Sequence, residues 1–131
     1  MSNLRGVGRE AEDQAADYLL AQGYTLVTRR FKGRRGEIDI VALDGEVMVF
    51  VEVKLRRSKE YIAEESIGRR KTELMVEAAG EFLLQHAQPE HPARYDVIAI
   101  DRTGLRHHID AFRPVDGERT TTVLAVESEE F

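Results

Sequence analysis

From Gly36 to Lys54 the chain reads Gly-Glu-Ile-Asp-Ile-Val-Ala-Leu, then Asp-Gly, then Glu-Val-Met-Val-Phe-Val-Glu-Val-Lys. Both halves are rich in the β-branched residues that favour strands, and Asp44-Gly45 is a hairpin signal. A two-residue turn at Asp44-Gly45 sets Leu43 against Glu46, Asp39 against Phe50 and Glu37 against Glu52. Because side chains alternate along a strand, this register places Glu37, Asp39, Glu52 and Lys54 on one face, with Asp39 diagonal to Glu52. Ile38, Ile40, Ala42, Val47, Val49, Val51 and Val53 take the other face, which is expected to be covered by helices. Asp39 lies between two isoleucines and Glu52 between two valines. Carboxylates buried unpaired in such runs cost several kcal/mol each, so something must offset them.

The rest of the chain supplies elements to pack on this hairpin. Ala11, Ala15, Tyr18 and Leu19 recur at helical spacing, predicting a helix over 8–22 that Gly23 stops. Glu12 shares part of that apolar face. Tyr24–Phe31 reads as a first strand, leading into Lys32-Gly33-Arg34-Arg35-Gly36. A polar loop over 57–66 precedes a second helix at about Gly68–His86, with Leu74, Ala78 and Phe82, joined by Met75, Ala79 and Leu83, facing the core. Gln88-Pro89-Glu90-His91-Pro92 ends it. Arg94–Asp101 is a fourth strand and Leu105–Ile109 a short fifth. The expected domain is 1–113. Residues 114–131 are expected to be an acidic flexible tail, with Val123–Val126 as an alternative short edge strand.

At 131 residues one domain is expected, burying roughly two-thirds of its unfolded surface. No apolar run approaches the ~20 residues that cross a bilayer, and the N-terminal residues lack a signal core. The absence of cysteine excludes disulfides, thiolate zinc sites and cysteine nucleophiles. The expected compartment is the cytoplasm, with no membrane partner. Net charge is −5, yet 12 of the 19 Lys and Arg residues fall between positions 29 and 71. Local basic patches make phosphate footprints where net charge does not. Arg30, Lys32, Arg34, Arg35, Arg56 and Arg57 are therefore candidates to contact nucleic acid, with solvated loop ends as the alternative.

Two carboxylates converging without cysteine or paired histidines suit a hard cation, Mg2+ or Mn2+. Such an ion lowers the pKa of bound water and neutralises charge on a phosphoryl oxygen. Lys54, two residues beyond Glu52 on the same face, can position water or stabilise developing negative charge. Phosphodiester hydrolysis fits these parts together. Two other readings stay open: Glu52 and Lys54 in exposed ion pairs worth about 0–1 kcal/mol, or Asp39 holding a turn. His86, His91, His107 and His108 are expected at the surface.

Asp39, twelve intervening residues, then Glu52-Val53-Lys54 resembles the PD-(D/E)XK nuclease signature. More closely, the chain resembles the YraN-type family, itself similar to archaeal Holliday-junction resolvases. The resemblance covers about residues 4–114. It rests on Gly8 and Glu12 with Ala15–Leu19, on Gly23-Tyr24, Gly36–Asp39, Phe50–Lys54, Lys71 and Arg94–Val97. It implies an α/β fold with a mixed sheet, a restriction-endonuclease-like core of helix, three strands, helix and strand. It also implies that Asp39, Glu52 and the Val53 carbonyl ligate the metal, that Lys54 is catalytic, and that Glu12 adds an acidic group. Glu37 and Lys71 are implied as supporting or substrate-contacting residues. Arg30 stands where many relatives carry asparagine, the 57–67 loop lacks their glycine-rich character, and the tail after Pro114 has no counterpart.

The resulting expectation is a metal-dependent nuclease acting on DNA, branched or single-stranded. The alternatives are a nucleic-acid-binding module that retains the fold without catalysis, and a protein-interaction adaptor. Symmetric cutting of two strands would require a homodimer.

Overall fold

The computed structural model describes residues 2–56, 68–114 and 121–123. The Gly36–Lys54 run folds as a hairpin of β2 (Glu37–Asp44) and β3 (Val47–Leu55), but its turn lies one residue later than expected. Asp44 pairs with Val47, so Gly45 and Glu46 are the two central residues, and Gly45 has φ 63°. Glycine at positive φ in the first central position is what a type II′ turn demands. Every cross-strand partner therefore moves by two residues, and Ile40 meets Val51. A shift of two preserves the facing of side chains, where a shift of one would have reversed it. Phe50 now meets Val41, so Asp39 is not set against it. The expected pairing of Glu37 with Glu52 is lost.

The single apolar face is a second correction. Ile40, Ala42, Val49 and Val51 pack beneath α1 (Ser2–Ala21), with Ala11, Ala15, Ala16 and Leu19. Val41, Met48 and Phe50 pack beneath α2 (Arg69–His86), with Met75, Ala78, Ala79 and Phe82. Ile38 belongs to the α2 side and Ile40 to the α1 side, so alternation breaks at Asp39. The neighbouring strand β1 (Thr25–Lys32) bears Arg30 in the left-handed region at φ 59°, between the pairs Arg29–Ile40 and Phe31–Ile38. The two irregularities sit opposite one another, leaving the register on either side unchanged.

The sheet order is β1-β2-β3-β4-β5-β6, with β4 at Ala93–Asp101, β5 at Gly104–Pro114 and β6 at Thr121–Val123. Only β3–β4 is parallel, which requires a crossover, and α2 provides it. This is the expected mixed α/β core of helix, three strands, helix and strand. Both helices depart from their expected form: α1 begins at Ser2, six residues early, and Met75 rather than Leu74 is fully buried on α2. The fifth strand is 11 residues long, and β6 pairs with it, so the sheet continues past position 113. Among the described residues no helix is long and apolar enough to cross a membrane.

Candidate active site

The hairpin strands part where the carboxylates lie. Recorded β2–β3 pairing ends at Ile40–Val51, leaving the Val53 N–H free to donate to Asp39 Oδ2 at 2.7 Å. Glu52 is 3% exposed and continues the α2 face of β3 one pleat beyond Phe50. Asp39, at the break in alternation, lines a cavity of about 320 Å3 on the α1 side with Glu12, Arg30 and Val53. The two acids thus approach the same point from opposite faces of the sheet.

Their electrostatics follow from that placement. Burial raises the Glu52 carboxyl to about 8, reinforced by the Asp39 charge and opposed by Lys71 and Lys54. Burial also raises Asp39; the Val53 N–H and Lys71 pull it back down, while Glu12 adds to the rise. The two carboxyls are close enough that the Asp39 charge favours the protonated form of Glu52. Even so, Glu52 Oε1 is buried without a hydrogen-bond partner. A buried orphan oxygen costs about 1–3 kcal/mol, more for a charged group, and a divalent cation satisfies such an atom. Among the described residues no group of three or more His, Asp and Glu side chains is placed to hold a metal. The donors at this point are two carboxylates and main-chain carbonyls, a set that would suit a hard cation keeping part of its hydration shell.

Lys71, on the first turn of α2, brings Nζ to 3.6 Å from Glu52 Oε2. Lys54 is half-buried one pleat beyond Glu52. Glu12 is 7% exposed and is not a free acid: Oε1 accepts from Arg29 Nη2 at 2.9 Å and from Arg30 Nε at 3.0 Å. It borders the cavity as a neutralised group. Glu37 is exposed at the start of β2, opposite Lys32.

The basic residues divide into two sets. Arg30 is committed to Glu12, and Arg35 to Glu77 of α2. The Arg34 N–H donates to Glu81 Oε1 at 3.0 Å. The Lys32, Arg34 and Arg56 side chains have no acidic partner among the described residues. Arg57 lies outside the described residues.

A second buried polar cluster escaped the sequence reading. Asp96, fully buried, accepts from Arg94 Nε at 3.0 Å, from the Asp110 N–H at 2.9 Å, and bonds His107 Nε2 at 2.8 Å. His107 Nδ1 in turn meets the Tyr18 hydroxyl at 3.1 Å. Asp96 is held below the ordinary carboxylate range, because the His107 and Arg94 bonds outweigh burial. His107, expected at the surface, has a side chain only 4% exposed. The signal was present in Tyr-Asp-Val-Ile, an acid in an apolar strand like Asp39.

The model for uncharacterised protein family UPF0102 matches residues 11–100. The chain belongs to that family. A UPF0102 protein of Pseudomonas syringae is 46% identical over 103 residues, covering 76% of this chain and 83% of its own length. One from Vibrio cholerae is 41% identical over 111 residues, covering 82% and 89%, and one from Stutzerimonas stutzeri 42% over 115, covering 86% and 96%. The matched span includes Glu12, Asp39, Glu52, Lys54, Lys71 and the Asp96 cluster's strand, so the family is a YraN-type, PD-(D/E)XK-like one.

Proposed function

We propose that this protein is a metal-dependent nuclease that hydrolyses phosphodiester bonds in DNA, acting in the cytoplasm. The observation that carries the reading is the orphaned, buried Glu52 Oε1 beside Asp39 at the point where β2 and β3 separate. Asp39, Glu52 and the Val53 carbonyl are the groups that would hold Mg2+ or Mn2+. When bound, such an ion supplies charge neutralisation at a phosphoryl oxygen and a lowered pKa for its water. The chain's own residues do the rest. The Lys54 ammonium donates hydrogen bonds to the attacking water and to the charge that develops on the phosphoryl oxygens. Lys71 screens the carboxylates, 3.6 Å from Glu52 Oε2, and its ammonium would contact a substrate phosphate beside them. Arg29 and Arg30 pair with Glu12, so its carboxylate does not repel the substrate backbone.

The alternative, a nucleic-acid-binding module without turnover, draws on the Lys71–Glu52 pair, since a side-chain cation there already compensates part of the carboxylate charge. Cleavage of labelled single-stranded and four-way DNA with Mg2+ or Mn2+ separates the two. Turnover that is lost in Asp39→Ala and Glu52→Ala, with folding intact, is the expected result. Binding without turnover on either substrate with either metal supports the module instead.

A further inference from the structure

The cavity beside Asp39 does not end at the metal pair. Lys32 and Glu37 form a wall common to it and a second cavity of about 370 Å3, which reaches past Arg34 to Lys71 on the α2 side. In the other direction, Ala11 and Leu55 form a wall common to it and a third cavity of about 490 Å3. This last one, the most spacious of the three, lies between the N-terminal half of α1 and the β4–β5 turn, and Arg56 and Arg102 stand on it. The three cavities therefore adjoin one another in a row, with Asp39 on the middle one and cations on both outer ones.

The third cavity has no role in holding a metal, and its charge is not spent on the protein. Asp101 on its wall is matched by Arg106, whose Nη2 is 2.7 Å from Asp101 Oδ2. Arg56 and Arg102 have no acidic side-chain partner among the described residues. Glu10 is the remaining acid on that wall, so two arginines face one carboxylate. Among the described residues no aromatic side chain lines any of the three cavities. The described lining offers charge rather than the aromatic faces on which bases stack, and that charge suits phosphates.

We propose that Arg56 and Arg102 form a phosphate-binding site remote from the metal pair, and that the three cavities act as one groove, which carries one continuous DNA single strand across Asp39 with anchors on both sides. A row of adjoining cavities of a few hundred Å3 each suits one flexible strand, whereas a duplex presents both backbones on a rigid cylinder too wide to enter them. Because the strand is held on either side of the scissile phosphate, free ends are not required. The position of that phosphate rests on the nuclease reading; the anchoring site does not.

The test is binding without metal. In EDTA, fluorescence anisotropy of the whole protein is measured against a long labelled oligothymidylate, a short one, a duplex of the long one's length, and circular single-stranded DNA as competitor. The long single strand is expected to bind more tightly than the duplex, and the circle to compete as well as a linear strand. Arg56→Ala with Arg102→Ala is expected to weaken the long strand on the order of tenfold, and to reduce the slope of log affinity against log salt by about 1.4, at 0.7 per phosphate contact. Wild-type-like binding by the double variant, or duplex binding as tight as single-strand binding, overturns the proposal. Matching circular dichroism for wild type and variant excludes a folding defect, and Arg56→Lys with Arg102→Lys should restore the slope. A protein that binds in this pattern yet never cuts with Mg2+ or Mn2+ loses the nuclease reading and keeps the groove.

Discussion

Burial raises Glu52 from 4.5 to about 8 and raises Asp39 as well, so the folded, metal-free protein retains protons that the unfolded chain has already released. The sign follows from linkage. Where the native state binds more protons, stability falls as pH rises, here from about 4.5 through about 8. The melting temperature in EDTA should therefore decline across that window. Glu52→Gln, neutral at every pH and similar in shape, should flatten the decline and melt above wild type at pH 8. A wild-type curve with no such decline would remove the assignment. Arg30 presents a different cost. A non-glycine residue in the left-handed region is strained by about 1–2 kcal/mol, least for asparagine and glycine, and its pair with Glu12 is partly exposed and worth at most about 1 kcal/mol. Arg30→Asn, the residue that the family resemblance puts near this position, should leave stability unchanged or raise it, since Arg29 still holds Glu12. A loss above about 1 kcal/mol in chemical denaturation would contradict this. The acids of the pair were legible because polar residues inside apolar strands stand out. The strain at Arg30 was not, because a dihedral angle leaves no mark in composition.

Among the elements, the hairpin shows what one-dimensional pattern can and cannot settle. Alternation identified both strands and kept Glu52 and Lys54 on a common face, since the two-residue register error did not reverse the facing. It did not locate the turn, because Asp-Gly favours a type I′ turn at those two residues, while Gly45 leads a type II′ turn followed by Glu46. Nor did it reveal the change of face at Asp39, which arises from a paired distortion of two strands. The basic connection between β1 and β2 is fixed by close approach to α2. A Cβ on Gly36 would lie 2.4 Å from the Leu74 carbonyl oxygen and 3.1 Å from the Leu74 Cβ, too near for any side chain without backbone movement. Leu74 is three residues beyond Lys71 on the same helix. Gly36→Ala should therefore displace the connection from α2, cost about 1–3 kcal/mol as overpacking does, and weaken single-strand binding along with stability. A variant as stable as wild type would show that the two elements are free to separate.

Over the whole molecule, α1 is tied to the sheet at two levels. Glu12 meets Arg29 and Arg30 near the candidate site, and two turns further on Tyr18 meets His107 and the Asp96 cluster. The two buried acids that matter most are thus answered differently. Asp96 is satisfied by protein donors and contributes to the fold, whereas Glu52 is left with an orphan oxygen. Removing Asp96 takes the partner from His107 Nε2 and the acceptor from the Asp110 N–H, while Arg94 keeps Asp44 and Tyr24, so Asp96→Ala should cost about 1–3 kcal/mol; Glu52→Gln, which removes a buried charge, should not destabilise. The same contrast yields the decisive expectation for metal. A cation that binds only the folded state stabilises by RT ln(1 + [L]/Kd), about 2.7 kcal/mol at a hundredfold excess over Kd, or roughly 10 °C in a domain of this size. Binding would displace the proton that burial holds on Glu52, so the gain should grow as pH rises. Mg2+ or Mn2+ should raise the wild-type melting temperature, more at pH 8 than at pH 6, and leave Asp39→Asn and Glu52→Gln unmoved. Equal shifts in wild type and both variants would place the ion elsewhere on the surface, and no shift at any pH would leave Glu52 Oε1 unanswered by metal and the hydrolytic reading without its cation.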